Sequence, residues 1–321
     1  MSRPGAPELR WAAVVLVAFG ALAFLPLVVR RDDVLNFGVV FLLSVALAQS
    51  WNLMAGYAGQ VNLGHAAFFG LGALVTRMLW IQGAPILLAM GAGALVAGVF
   101  GLLVGLPAFR LRGAYFAIGT LALAEILRIT VGNSLPEIST LPAATIAAYS
   151  LAPRFYLTLV VAALSVATVA WTAASRAGLG MRAIREDEAA AEASGVGALR
   201  HKLLALTLST VLAGLVGGAF AYYHISYYPQ HPFGPQWTFD ALLITFIGGA
   251  GTLHGPVLGA LFYVFLKEYL AIRWVDLHLL IFGALFIAIV LLLPGGLVEV
   301  FGRARRLFGG RRAASPPLTA S

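Results

Sequence analysis

Uncharged polar side chains interrupt an apolar run in QSWNLMAGYAGQVNLGHAAFFGLG, among them Gln49, Asn52, Gln60, Asn62 and His65. Their chemistry is hydrogen bonding, not acid–base or nucleophilic work. Inside hydrocarbon such groups must find partners or water. Gly56, Gly59 and Gly64 beside them permit a broken helix or a close backbone approach. Two readings stand side by side. Asn52, Gln60, Asn62 and His65 line a substrate path, or they bond between helices and hold a bundle together. His65 alone reads as a satisfied bundle histidine rather than a ligand.

The other reactive residue types exclude more than they offer. His224, His231, His254 and His278 lack metal-ligand spacing, so no metal site is expected. The sequence has no cysteine, hence no disulfide framework and no thiolate nucleophile. No G-x-x-x-x-G-K-[ST] loop occurs, no G-x-S-x-G elbow and no H-E-x-x-H. An enzyme is therefore not expected, nor a cofactor held by this chain. Glu125 and Arg128, three apart, share a helix face and read as a structural ion pair near the outer interface.

The elements that position these residues are membrane spans. The chain has 321 residues, 60% hydrophobic and 11% charged, with a mean hydropathy of +0.91. Several apolar runs reach the roughly 20 residues that cross a bilayer. They are continuous rather than alternating, which excludes a closed barrel. The fold class is all-α: a polytopic helical membrane protein with about eight to ten passes. The net charge of +8 collects in loops and the tail, which suits membrane orientation and not nucleic acid.

Residues 1–10 form a cytoplasmic N-terminus, 11–300 the transmembrane domain with a cytoplasmic loop at 175–202, and 301–321 a basic cytoplasmic tail. Residues 11–29 read as a retained span rather than a cleaved signal. Further spans fall at 34–54, 60–81, 84–106, 113–131, 153–174, 203–225 and 276–294. Parity makes 239–273 begin and end outside, yet two spans need about 40 residues. GGAGTLHGP at 248–256 breaks it, so a re-entrant or broken hairpin is expected near 240–273. Gly93, Ala97, Gly101 and Gly105 recur every four residues as a close-packing face. Ala213/Gly217 and Gly214/Gly218 make a second.

The loop SRAGLGMRAIREDEAAAEASGVGALRHK carries five basic and four acidic residues. Its middle, 186–195, reads as one short helix with acids first and Gly195 and Gly197 as stops. Ala189, Ala190 and Ala193 make a flat small face flanked by Glu188 and Glu192. Like charges at i and i+4 weaken an isolated helix but fit a helix docked on a partner. The plainer reading is a solvated loop.

At this point the motifs become familiar. SWNLMAGYAGQVNLGHAAFFGLGA resembles the signature of LivM-type permeases, membrane subunits of branched-chain amino acid ABC importers. RGAYFAIGTLALAEILR, RAIREDEAAAEASGVGALRHKLLAL and IGGAGTLHGPVLGA resemble further stretches of that family, together covering most of 47–296. The resemblance implies a bacterial inner-membrane importer with both termini cytoplasmic. It implies a LivH-like second permease, two ABC ATPase subunits that bind the ATP, a periplasmic substrate-binding protein and a lipid bilayer as partners. Glu188, Ala189, Ala190, Glu192, Ala193 and Gly195 are similar to the E-A-A-x-x-x-G coupling motif that docks on the ATPase, with Gly195 one residue late. Where the family usually has a glycine-rich TGG-containing segment, this chain has SLPEISTLPAA. It reads Pro294-Gly295-Gly296-Leu297 where P-R-G-L is common. Sister permeases for urea and short amides share most of these motifs and are the alternative. A secondary transporter or channel is the alternative of another class. It lacks support from an inverted repeat or a buried carboxylate pair.

Overall fold

The computed structural model describes residues 6–29, 31–135, 137, 139–141, 143–147 and 149–273, with 281, 283, 284, 287, 291 and 295–299. The expected tail at 301–321 and most of the expected span at 276–294 lie outside the described residues. Among the described residues the regular structure is helical apart from one short ladder, and six helical stretches are long and apolar enough to cross a membrane.

Helix α1 (Ala6–Leu22) and the short α2 (Leu25–Val28) precede α3 (Asp32–Asn52). Asp32 and Asp33 open α3, where the helix dipole favours acids. α3 runs straight into a π turn, Leu53–Tyr57. Its last two turns carry no solvent-exposed face: Val45, Ala46, Ala48, Gln49, Ser50, Trp51 and Asn52 all have zero exposure. A helix buried all round sits at the centre of a bundle, and α3 packs against α8 (Leu151–Ala174), α11 (Ala198–Tyr223), α12 (Pro235–Gly248) and α13 (Gly255–Arg273). α1 lies outside, on α8.

Helix α4 (His65–Ile81) is shorter than expected: residues 58–64 are not helical, and the span expected from residue 60 starts at His65. α4, α5 (Ile86–Ala108) and α11 form a second, tight layer. α6 (Ala114–Ser134) covers it from one side, burying only Phe116, Thr120, Ala124 and Val131, one stripe of its surface.

The segment at 240–273 is an antiparallel hairpin of α12 and α13. Lys267, near the end of α13, binds Asp240 near the start of α12 at 3.0 Å. Both ends therefore lie on one side, and the turn at 249–254 plunges back to meet Gln49 and Asn52 of α3. With 14 residues, α12 is about 21 Å long, too short to span.

Between α8 and α11 the charged loop folds as two helices, α9 (Arg176–Glu186) and α10 (Glu188–Ala193), not the single helix expected over 186–195. Asp187 breaks the run by capping α10: its carboxylate accepts the Ala190 N–H at 3.0 Å. Two further features lay outside the sequence reading. The connection after α6 holds α7 (Ala143–Ala147) and strand β1 (Ser139–Thr140), which pairs antiparallel with β2 (Ser226–Tyr227) after α11.

Candidate functional site

Asn52 sits at the last position of α3 and is fully buried. Its amide grips the hairpin turn from both ends: Nδ2 donates to the Thr252 carbonyl at 2.9 Å, and Oδ1 accepts the Gly251 N–H at 2.8 Å. One turn earlier, Gln49 Nε2 donates to the Leu253 carbonyl at 2.6 Å. The turn must come this close. A methyl at Gly56 would lie 1.9 Å from Asn52 Oδ1 and 2.5 Å from the Gly251 nitrogen, and Gly251 itself has φ +79°.

Asn62 and His65 are also fully buried. Trp51 Nε1 donates to the Asn62 carbonyl at 2.8 Å, while Asn62 Oδ1 accepts the Gly64 N–H at 2.8 Å. His65 Nε2 lies 2.8 Å from Ser50 Oγ, and Ser209 Oγ donates to the Ser50 carbonyl at 2.7 Å. Thr120 and Thr238, unremarked in the sequence, receive the Leu63 and Ala66 amides. The non-helical stretch 58–64 thus has its backbone met by side chains from α3 and α6, and the first turn of α4 by Thr238 of α12, which makes the break tolerable at membrane depth. Gln60 stands apart, half-buried. Bonds between membrane helices average about 0.6 kcal/mol each. The three that tie α3 to the turn therefore sum to roughly 2 kcal/mol, enough to set one geometry and little enough to exchange it. Gln49 Oε1, Asn62 Nδ2 and His65 Nδ1 are buried with no hydrogen-bond partner among the described residues. Such atoms are ordinarily met by water or a ligand.

Two arginines of α9 reach this junction from the other side. Arg185 Nη1 donates to the Gly56 carbonyl in the π turn. Arg182 donates to the Ala173 carbonyl at the end of α8 and lies 5.9 Å from the Tyr57 ring centroid. Gly178, Met181 and Ile184, buried with Gly180 on α9, follow helical period, and Arg182 and Arg185 each come next in sequence after one of them. That register was the one signal pointing to these arginines.

On α10, Ala189, Ala190, Glu192 and Ala193 are exposed, and Ala191 is buried against Ile184 and Ala198. Glu188 turns inward, 2.6 Å from the buried Lys202. Gly195, at φ +86°, ends the helix: Val196 N donates to the Ala191 carbonyl at 3.0 Å, and Val196 packs beside Ala191. This is a Schellman cap, and it requires glycine at 195. The result is a small, flat, acidic-edged face held rigidly at both ends.

The small-residue faces lie between α4, α5 and α11. A Cβ at Gly93 would fall 2.6 Å from the Gly72 carbonyl oxygen, at Gly101 2.6 Å from Thr210 Oγ1, and at Gly214 2.8 Å from Ala97. Gly105 faces Leu206, and Gly218 faces Met90 and Thr76. Arg77, buried in α4, donates to the carbonyls of Ala221, His224 and Ile225 at the end of α11. In the loop beyond, His231 is held below its ordinary pKa by burial, with its ring stacked on Phe220. Among the described residues no group of three or more His, Cys, Asp and Glu side chains forms a metal site.

Long apolar helices, a re-entrant hairpin and a polar break at the bundle centre define a multi-pass membrane protein. Residues 34–290 match the family described as branched-chain amino acid transport system, permease component, and the chain belongs to that family. It is similar to the permease protein LivM of the high-affinity branched-chain amino acid transport system of Salmonella typhimurium, with 26% identity covering 89% of this chain and 74% of the relative. The Escherichia coli LivM is 27% identical over the same shares. A probable branched-chain amino acid transport permease protein LivM of Methanocaldococcus jannaschii is 24% identical over 82% of this chain and 91% of the relative. No solved structure matches.

Proposed function

We propose that this chain is the permease subunit of an ATP-driven importer that carries branched-chain amino acids into the cell by alternating access. The match to the permease family across 34–290 carries the proposal. In this reading the chain lies in the bacterial inner membrane, with residues 1–10, loop 175–202 and tail 301–321 cytoplasmic around a permease domain at 11–300. A LivH-like permease stands beside it, two ATPase subunits bind the ATP, and a periplasmic binding protein delivers substrate. The chain itself is not an enzyme.

The exposed face of Ala189, Ala190, Glu192 and Ala193 suits a helix seated in an ATPase groove. Closure of the ATPases pushes α10. The push passes to α9 across Asp187, through Arg185 to the π turn, and through Asn52 and Gln49 to the hairpin turn. Asn52, Gln60, Asn62 and His65 then meet the passing zwitterion with neutral dipoles. The unpartnered Asn62 Nδ2 and His65 Nδ1 support that role. Weak binding along such a path allows release.

The test is uptake of labelled leucine by the reconstituted complex. Uptake that needs ATP and a binding protein is expected. Uptake of urea or a short amide in place of leucine, or leucine uptake indifferent to ATP, would overturn the reading.

A further inference from the structure

A cavity of about 220 Å³ lies among α3, α4, α11 and α12. Its deep wall is apolar: Leu43, Leu47, Phe69, Val216 and Ile244. Tyr223, His224 and Asp240 also line it, and helix register puts them toward the end where α11 finishes and α12 begins. Asp240 is one turn above Ile244, and Tyr223 is two turns above Val216. The cavity is thus greasy below and polar above.

Asp240 does not stand alone. Lys267 binds its Oδ2 at 3.0 Å, and Tyr263 donates to its Oδ1. The Asp240 side chain is 22% exposed and that of Lys267 49%. An ion pair this open is weak and exchanges partners easily. A larger opening of about 610 Å³ adjoins the cavity, sharing Val40 and Tyr223, and adds Asp33 and Glu268. Asp33 is paired there with Arg31 at 2.6 Å, so it is Glu268, beside the Asp240–Lys267 pair, that draws an ammonium group toward Asp240.

Size and charge select the same occupant. An apolar cavity of roughly 150 Å³ is enough to take benzene, so this one takes a branched aliphatic side chain. A carboxylate and an ammonium side by side are the charge complement of a zwitterion. We propose that the cavity holds one aliphatic amino acid, its side chain among Leu43, Leu47, Phe69 and Ile244, its ammonium on Asp240 and its carboxylate toward Lys267. This rests on the transport reading above and adds to it a holding site on the outer side, separate from the junction at Asn52.

The test compares leucine and valine uptake in cells that lack other routes for either and express the chain with its partner subunits. Ser44, half-buried, also lines the cavity, and Ser44→Val fills part of it. Since one methylene in an apolar pocket is worth about 10- to 200-fold, the leucine-to-valine ratio should drop about tenfold. Leu43→Ala widens the same space and should raise phenylalanine uptake relative to leucine. Ratios unchanged in both variants, as a cavity filled by a lipid tail would give, overturn the assignment even if leucine transport itself is sound. If the unaltered complex carries neither amino acid, the transport reading fails and the site falls with it.

Discussion

Arg185 of α9 donates a hydrogen bond to the carbonyl oxygen of Gly56 in the π turn, 129 residues earlier in the chain. The same guanidinium would collide with a side chain at Gly251, where a Cβ would lie 2.2 Å from Nη1. One cation therefore touches the loop outside the bundle, the broken end of α3 and the tip of the hairpin. Substitutions along such a coupling route change it by about 0.5–2 kcal/mol, roughly two- to thirtyfold. Arg185→Gln should leave the complex assembled and hydrolysing ATP while leucine uptake drops within that range. Uptake at the unaltered rate per ATP hydrolysed would remove Arg185 from the route.

Glu192→Lys reverses a charge on the exposed face of α10 and touches nothing inside. Membrane insertion should be unchanged and co-purification of the ATPase subunits should fall. Glu188→Gln acts differently. It leaves the buried Lys202 without its carboxylate, at a cost of about 1–2 kcal/mol, moderated because Glu188 is 38% exposed. Hydrogen exchange across α10 should quicken in Glu188→Gln and stay the same in Glu192→Lys.

Two glycines predict opposite outcomes for one added methyl. At Gly217 a Cβ would lie 2.0 Å from the Phe69 carbonyl oxygen, backbone that cannot move aside. Gly217→Ala should destabilise by about 1–3 kcal/mol and lower the yield of folded protein. At Gly91 nothing lies within 4 Å. Gly91→Ala should be neutral or raise the melting temperature, since alanine favours helix by up to about 1 kcal/mol. Equal yields for the two variants would contradict the packing of α4 on α11.

The absence of cysteine makes sidedness easy to measure. α11 has 26 residues, about 39 Å of helix, and separates α10 from the start of α12. Single cysteines at Glu192 and Gln236 should react with a membrane-impermeant maleimide from opposite faces, Glu192 from the cytoplasm. Labelling of both from one face would rule out α11 as a single crossing.

Much of this architecture was legible because charge and length are local properties. The hairpin at 240–273 followed from counting crossings between basic loops and from a run of Gly and Pro, which end helices. The family followed from motif order. Long-range partners were not legible. Arg77 lies in an apolar run, and its acceptors are backbone carbonyls 144 to 148 residues away. Carbonyls have no signature in side-chain pattern. Asp187 was read as a first-turn acid and is instead the cap that divides α9 from α10. Both roles place an acid at a helix start, so residue type alone does not separate them. The polar junction was legible as a set of groups needing partners. Its partners at 251–253 were not, because nothing near Asn52 in sequence announces a turn two hundred residues on.

The small ladder between Ser139–Thr140 and Ser226–Tyr227 constrains the surface at its end of the bundle. It sews the connection after α6 to the connection after α11. A partner that lifts one of these connections must lift the other or break the stitch. The two connections are therefore coupled as one body at that end of the bundle, and a displacement of either is carried to the other.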